Sequence, residues 1–170
     1  MVPALKSQDV FVGLRLSLLA KAKWTYVGLS QQLAMSSSEV HACVRRLTAS
    51  HLYSPILNRI NRAALHEFLV HGLRYAFPAV ISEQVRGVST GVTASGLSSK
   101  IFVGFNEQWV WMSDFGVELG RRVEPLYPSA PEAATRDPAL HQLLALADVL
   151  RFGRARERQM AGSELRARLQ

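Results

Sequence analysis

The stretch from Trp24 to Tyr53 limits what this chain can fold into more than any other part of it. Leu29 and Leu33 stand four apart, on one face of a short helix from about Tyr26 to Ala34 that Thr25 is placed to cap. Met35-Ser36 leaves room only for a tight connection. Ser36 and Glu39 then have capping-box spacing: the serine hydroxyl can accept from the backbone N–H of residue 39 while the Glu39 carboxylate reaches back. Met35 and Val40 flank that box with the spacing of a hydrophobic staple. A second helix follows to about Ala49, with Val40, Cys43, Val44 and Leu47 inward. Two short helices joined by two residues, the second fixed at its start from both sides, spell a helix-turn-helix.

The outward face of the second helix is the part with chemistry. Ser36, Ser37 and Ser38 begin it, and His41, Arg45 and Thr48 continue along the side opposite Val40, Val44 and Leu47. Short polar groups and free N–H groups at a helix start suit close approach to a phosphate or a groove floor. Arg45, a turn or two later, has the length to reach a guanine edge or a phosphate. Arg46 turns aside toward the DNA backbone, and Gln31 and Gln32 on the first helix are expected at phosphates.

Val27-Gly28-Leu29-Ser30-Gln31-Gln32-Leu33-Ala34, Met35 to Val40, Val44-Arg45-Arg46-Leu47 and His51-Leu52-Tyr53 together resemble the winged helix-turn-helix of MarR-like bacterial transcription regulators. The resemblance covers about 30 residues directly, or about 70 with the helices on either side, and implies a DNA-reading domain. Two departures stand out. The family usually has glycine where His51 stands, so His51 or Ser50 must take a left-handed backbone or the turn differs. Only about eight residues separate Tyr53 from the next helix, too few for a long wing. The expected wing is therefore vestigial, with Asn58, Arg59 and Arg62 at phosphates. The alternative is a wing-like hairpin over Lys100 to Met112.

Charge supports a localised footprint. The net charge is +7, and residues 1–80 hold +6 of it, with nine basic and three acidic side chains. Residues 81–130 are slightly negative and residues 131–170 carry +2. An uneven basic excess is what a nucleic-acid-binding face looks like.

The rest of the chain reads more coarsely. Val10, Phe11, Leu14, Leu18 and Leu19 mark a helix over Asp9 to Lys23, and Asn61 can cap another over Arg62 to Ala76 that Pro78 ends. Residues 79–100, broken by Gly87, Gly91 and Gly96, read as loop and short strand. Strands are expected over Lys100 to Phe105, Gln108 to Met112 and Val117 to Leu126. Trp109 and Trp111 alternate onto one strand face, with core packing their main expected use. Asp137-Pro138 starts a helix through Leu150, apolar enough for a dimer contact, and Gly153 interrupts before an Arg- and Glu-rich helical end.

Several classes of function find no support. Cys43 is the one cysteine, so no intrachain disulfide or Cys-rich zinc site exists, and a buried structural role outweighs a redox switch. His66 and His71 are five apart, wrong for one helix face, so no metal is expected. Arg86 to Gly91 lacks the lysine and spacing of a phosphate loop. No nucleophile motif or paired carboxylates appear, so neither an enzyme nor a cofactor is expected. No leader and no membrane-spanning run is apparent, and a cytoplasmic protein is expected.

The expectation is thus an α+β, mainly α chain: a winged helix-turn-helix domain over 1–78, then a small β-hairpin region and C-terminal helices over 79–170 for dimerisation or partner binding. Its partners would be double-stranded DNA and a second copy of itself, in a repressor. The alternative is an antitoxin-like subunit that clamps another protein through residues 100–170 and autoregulates through the helix-turn-helix. RNA binding is a weaker third reading, without an RNA-module signature.

Overall fold

A computed structural model describes residues 3–19, 22–97 and 107–170. The chain is α+β and mainly helical, as expected. It runs α1 (Ser7–Leu18), α2 (Tyr26–Leu33), α3 (Ser37–Ala49), β1 (Tyr53–Ser54), β2 (Arg59–Ile60), α4 (Arg62–His71) and α5 (Leu73–Ala76). Then come β3 (Ile81–Ser89), a 3-10 turn (Gly91–Thr93), β4 (Trp109–Met112), β5 (Glu118–Val123), α6 (Ala130–Arg136), α7 (Pro138–Phe152) and α8 (Ala155–Leu169). No helix among the described residues is long and apolar enough to cross a membrane.

Local chemistry sets the helix ends. Thr25 Oγ1 accepts from Gly28 N at 3.0 Å and starts α2. Ser36 caps α3 with both arms of the capping box in place. Asn61 caps α4, and Asp137 caps α7 ahead of Pro138. Both α2 and α3 stop in a Schellman motif. Met35 N donates to Ser30 O and Ala34 N to Gln31 O; Leu52 N donates to Leu47 O and His51 N to Thr48 O. The left-handed residue is Ala34 (φ 50°) in the first and His51 (φ 59°) in the second. A Cβ makes that conformation costly by roughly 1–2 kcal/mol. His51→Gly is therefore expected to raise stability by about 0.5–1 kcal/mol, less than the full strain because glycine also loosens the unfolded chain. Urea denaturation reads this directly, and a neutral or destabilising result would contradict it.

The two expected units share one core. A single cluster of buried side chains runs from Val10, Phe11 and Leu14 through Leu29, Leu47 and Leu69 to Trp111, Leu143 and Leu165. Helix α1 packs on both α3 and α7, and α4 packs on α8. Residues 9–14 of α1 are all buried, so this helix has an apolar side for each half and no boundary in the core falls at residue 78. Helix α7 is buried at every residue from Leu143 to Arg151. A helix buried all round is a central helix. The surface that suggested a dimer helix is thus consumed within the chain.

Residues 79–97 depart from the loop-rich expectation, because β3 spans nine residues straight through Gly87. It pairs antiparallel with β4 (Val88 with Trp111) and with β5 (Val85 with Gly120), while β4 and β5 meet in parallel, so the three strands close on themselves. Gly87 is no chain break: a Cβ there would lie 1.9 Å from the Trp111 carbonyl oxygen, so glycine is what allows the strands to approach. The expected strand over Lys100 to Phe105, and with it the Lys100–Met112 hairpin, lies outside the described residues. Trp109 and Trp111 are both buried in the core. The long helix expected over Arg62 to Ala76 is divided at Gly72, the weakest helix former in that run.

The small sheet is tied to α7 by a buried polar hub. Asp148, 1 % exposed, accepts from Thr90 Oγ1, Trp111 Nε1 and Arg151 Nη1, each at 2.7 Å. Burial pushes the Asp148 carboxyl above its usual range, opposed by Arg151 and these three hydrogen bonds. Arg151 also donates to the carbonyls of Phe77, Pro78 and Glu124.

Candidate nucleic-acid interface

Helix α3 has one buried side and one open side. Val40, Cys43, Val44 and Leu47 face the core. Ser37, Ser38, His41 and Arg45 are exposed, and Thr48 is half-buried with its hydroxyl donating to Val44 O at 2.8 Å. At the helix start Ser36 Oγ lies 3.1 Å from Ser38 Oγ, and Ser37 Oγ 3.1 Å from Ser30 Oγ on α2. The Glu39 carboxylate accepts from Ser36 on one oxygen and from the Tyr127 hydroxyl, at 2.7 Å, on the other. These bonds hold Glu39 below the usual carboxylate range and push the Tyr127 hydroxyl up to about 12. Ser129 Oγ donates to Leu33 O, so the bend after β5 grips both helices at their junction.

The basic residues divide into free and engaged. Arg45 is exposed on α3, and Arg59 is exposed on β2. Arg46, expected at the DNA backbone, instead makes a two-pronged pair with Asp9 of α1: Nε lies 2.8 Å from Oδ2 and Nη2 2.7 Å from Oδ1. Asp9 is fully buried and also accepts from Lys6 N. That geometry turns the Arg46 guanidinium into the protein. Arg62, expected at a phosphate, donates to Ser17 O and Gln170 O at 2.9 and 2.8 Å and so joins α4 to the ends of α1 and α8. Gln31 is exposed, while Gln32 accepts from Arg15 Nε.

The β1–β2 hairpin is as short as the spacing implied. It pairs Tyr53 with Ile60 and Ser54 with Arg59. Tyr53 Oη donates to Asn58 Oδ1 at 2.5 Å, and Ser54 Oγ accepts from Leu57 N, which fixes the tip. Ile56 there is 93 % exposed. Between this hairpin and α3 lies a groove of about 600 Å3 lined by Trp24, Tyr26, Val44, Arg45, Thr48, Tyr53 and Asn58, among others. Sequence reasoning placed Trp24 and Tyr26 only as helix punctuation. Their grouping with Tyr53 depends on the hairpin folding back, which no local spacing encodes.

Cys43 is buried, and burial beside Asp9 pushes its thiol up to about 12. It stays protonated and unreactive, which fits a structural role. Among the described residues no group of three or more His, Cys, Asp or Glu is placed to hold a metal ion.

Comparison of the chain with protein-family models, with curated proteins and with solved structures found no match in any of the three.

Proposed function

We propose that this chain is a sequence-specific, double-stranded DNA-binding transcriptional regulator of the winged helix-turn-helix kind, acting as a dimeric repressor. The observation that carries the reading is the open face of α3. A capped helix start with two exposed serines, then His41 and Arg45 a turn and two turns on, stands beside a short hairpin bearing Arg59. Ser37, Ser38, His41 and Arg45 read base edges from the major groove, and Arg59 anchors a phosphate.

Selecting bound duplexes from a random pool supplies the operator, and two substitutions then test the assignment. Arg45→Ala is expected to cost about 1–3 kcal/mol of specific affinity, concentrated at one or two base positions. Its effect on stability should stay within about 0.5 kcal/mol, because the side chain is exposed. Arg59→Ala should weaken all sequences alike and reduce the salt slope by about one ion. Undiminished operator affinity in Arg45→Ala sinks the recognition-helix assignment.

With α7 consumed by the core, the proposed dimer contact moves to the β4–β5 turn. Met112, Phe115, Val117 and Leu119 are each more than half exposed there, an apolar surface of the kind that marks association. Sedimentation velocity is expected to show a dimer that Phe115→Ser with Leu119→Ser converts to a monomer. A wild-type monomer that instead forms a stable complex with the product of the adjacent gene favours the antitoxin-like reading.

A further inference from the structure

The groove between α3 and the β1–β2 hairpin has a composition that duplex reading does not use. Trp24 and Tyr26 meet edge to face, 5.1 Å apart at 81°, and Trp24 and Tyr53 do the same at 6.2 Å and 76°. Tyr26 also lies 4.9 Å from the His41 ring. Rings set at right angles leave a face open beside an edge, an arrangement that accepts a flat guest stacked on one ring and bordered by the next. Tyr26 is 37 % exposed and Trp24 is half-buried, while Tyr53 forms the floor.

The polar groups select the sign of the guest. Among the described residues no carboxylate lines the groove, and Arg45 does, so a cationic ligand of the aromatic-cage kind is disfavoured. Asn58 turns its carbonyl oxygen to the Tyr53 hydroxyl, which leaves the amide NH2 as a donor. The Thr48 hydroxyl spends its proton on Val44 O and keeps its lone pairs. Two donors and an acceptor around these edge-to-face rings fit a flat heterocycle that carries carbonyls and a phosphate. The volume lies within the range of ligand-binding clefts.

We propose that this groove binds an unpaired nucleotide of single-stranded nucleic acid, with its base stacked on the Tyr26 ring and bordered by Trp24, and its phosphate held by Arg45. Aromatic platforms beside a cation bind single strands with little sequence preference, because every base offers a flat face. The site goes beyond duplex recognition and does not require it. Arg45 carries both roles, so the test uses the rings.

Trp24 is the natural probe, since Trp109 and Trp111 are buried in the core. The full chain is titrated with a short oligothymidylate and with the matching oligouridylate, following tryptophan emission and the anisotropy of end-labelled strand. Saturable quenching with both strands is expected; quenching by only one narrows the ligand to DNA or to RNA within the same proposal. Tyr26→Ala should weaken binding about tenfold, and Tyr26→Phe should keep it. Both variants should retain native circular dichroism, and Tyr26→Phe, which keeps the ring beside His41, should leave the base preference of duplex binding unchanged. Three results overturn the proposal: no saturable quenching, equal affinity in wild type and Tyr26→Ala, or quenching by a proline-rich peptide and not by either strand. Duplex binding that persists under any of these leaves the regulator reading standing, and its loss with single-strand binding intact removes that reading alone.

Discussion

Asp148→Ala is expected to destabilise the protein by about 3–5 kcal/mol, since it leaves a buried guanidinium without its counter-charge. The same change strips the acceptor from Trp111 Nε1 and Thr90 Oγ1, both bonded to the carboxylate at 2.7 Å. For a chain of this length the melting temperature should fall by about 2–4 °C per kcal/mol. Replacing the pair with apolar residues, Asp148→Leu with Arg151→Met, is not expected to recover the loss. Arg151 also satisfies the carbonyls of Phe77, Pro78 and Glu124, where the segments entering and leaving the small sheet cross α7. Those acceptors would be orphaned at about 1–3 kcal/mol each. A double variant as stable as wild type would show that the hub is only an ion pair and not a junction.

The shared core gives that prediction a second reading. Helix α1 packs on α7, and the Phe11 and Tyr127 rings stack at 6.1 Å across the two sequence halves. Asp148→Ala should therefore lower the midpoint seen by Trp24 emission as much as the midpoint seen by far-UV circular dichroism. Separate transitions would restore the boundary near residue 78.

What was legible in the sequence was local. The caps at Thr25, Ser36, Asn61 and Asp137 are contacts between residues two or three apart, and each forms as its spacing implied. The resemblance, whose family has glycine where His51 stands, implied a left-handed residue at His51 or Ser50 or a different turn, and His51 is the one that takes it. What was not legible is set by partners far away in sequence. Gly87 reads as a break by sequence because its true role depends on the distant Trp111 carbonyl, and Ala34 carries no signal for a left-handed turn at all. Leu140 to Leu150 is as apolar as a dimer helix would be, and the packing of α8, α6, α1, α5 and the 3-10 turn around it decides that it is a core helix. The open face of α3 was legible from period alone. The groove beside it, and the Tyr127 bond to Glu39, join residues up to 88 apart and were not.

Arg46 shows this limit most sharply, and the separation of its role from that of Arg45 is the second large prediction. The two arginines are adjacent, equally charged and indistinguishable by composition. A helical step of one residue turns a side chain by about 100°, so one faces outward and the other α1. Arg46→Ala is expected to cost about 3–5 kcal/mol of stability, because it abandons the fully buried Asp9 carboxylate. Asp9→Ala should cost a similar amount, and the double variant should cost less than the two losses added, since they share one interaction. Under conditions where the variant remains folded, Arg46→Ala should bind the selected operator with wild-type affinity and an unchanged salt slope. Arg45→Ala should do the reverse, holding its stability and losing affinity. A drop of one ion in the salt slope of folded Arg46→Ala would mean that its guanidinium leaves Asp9 for a phosphate on binding, and the footprint would then need both arginines.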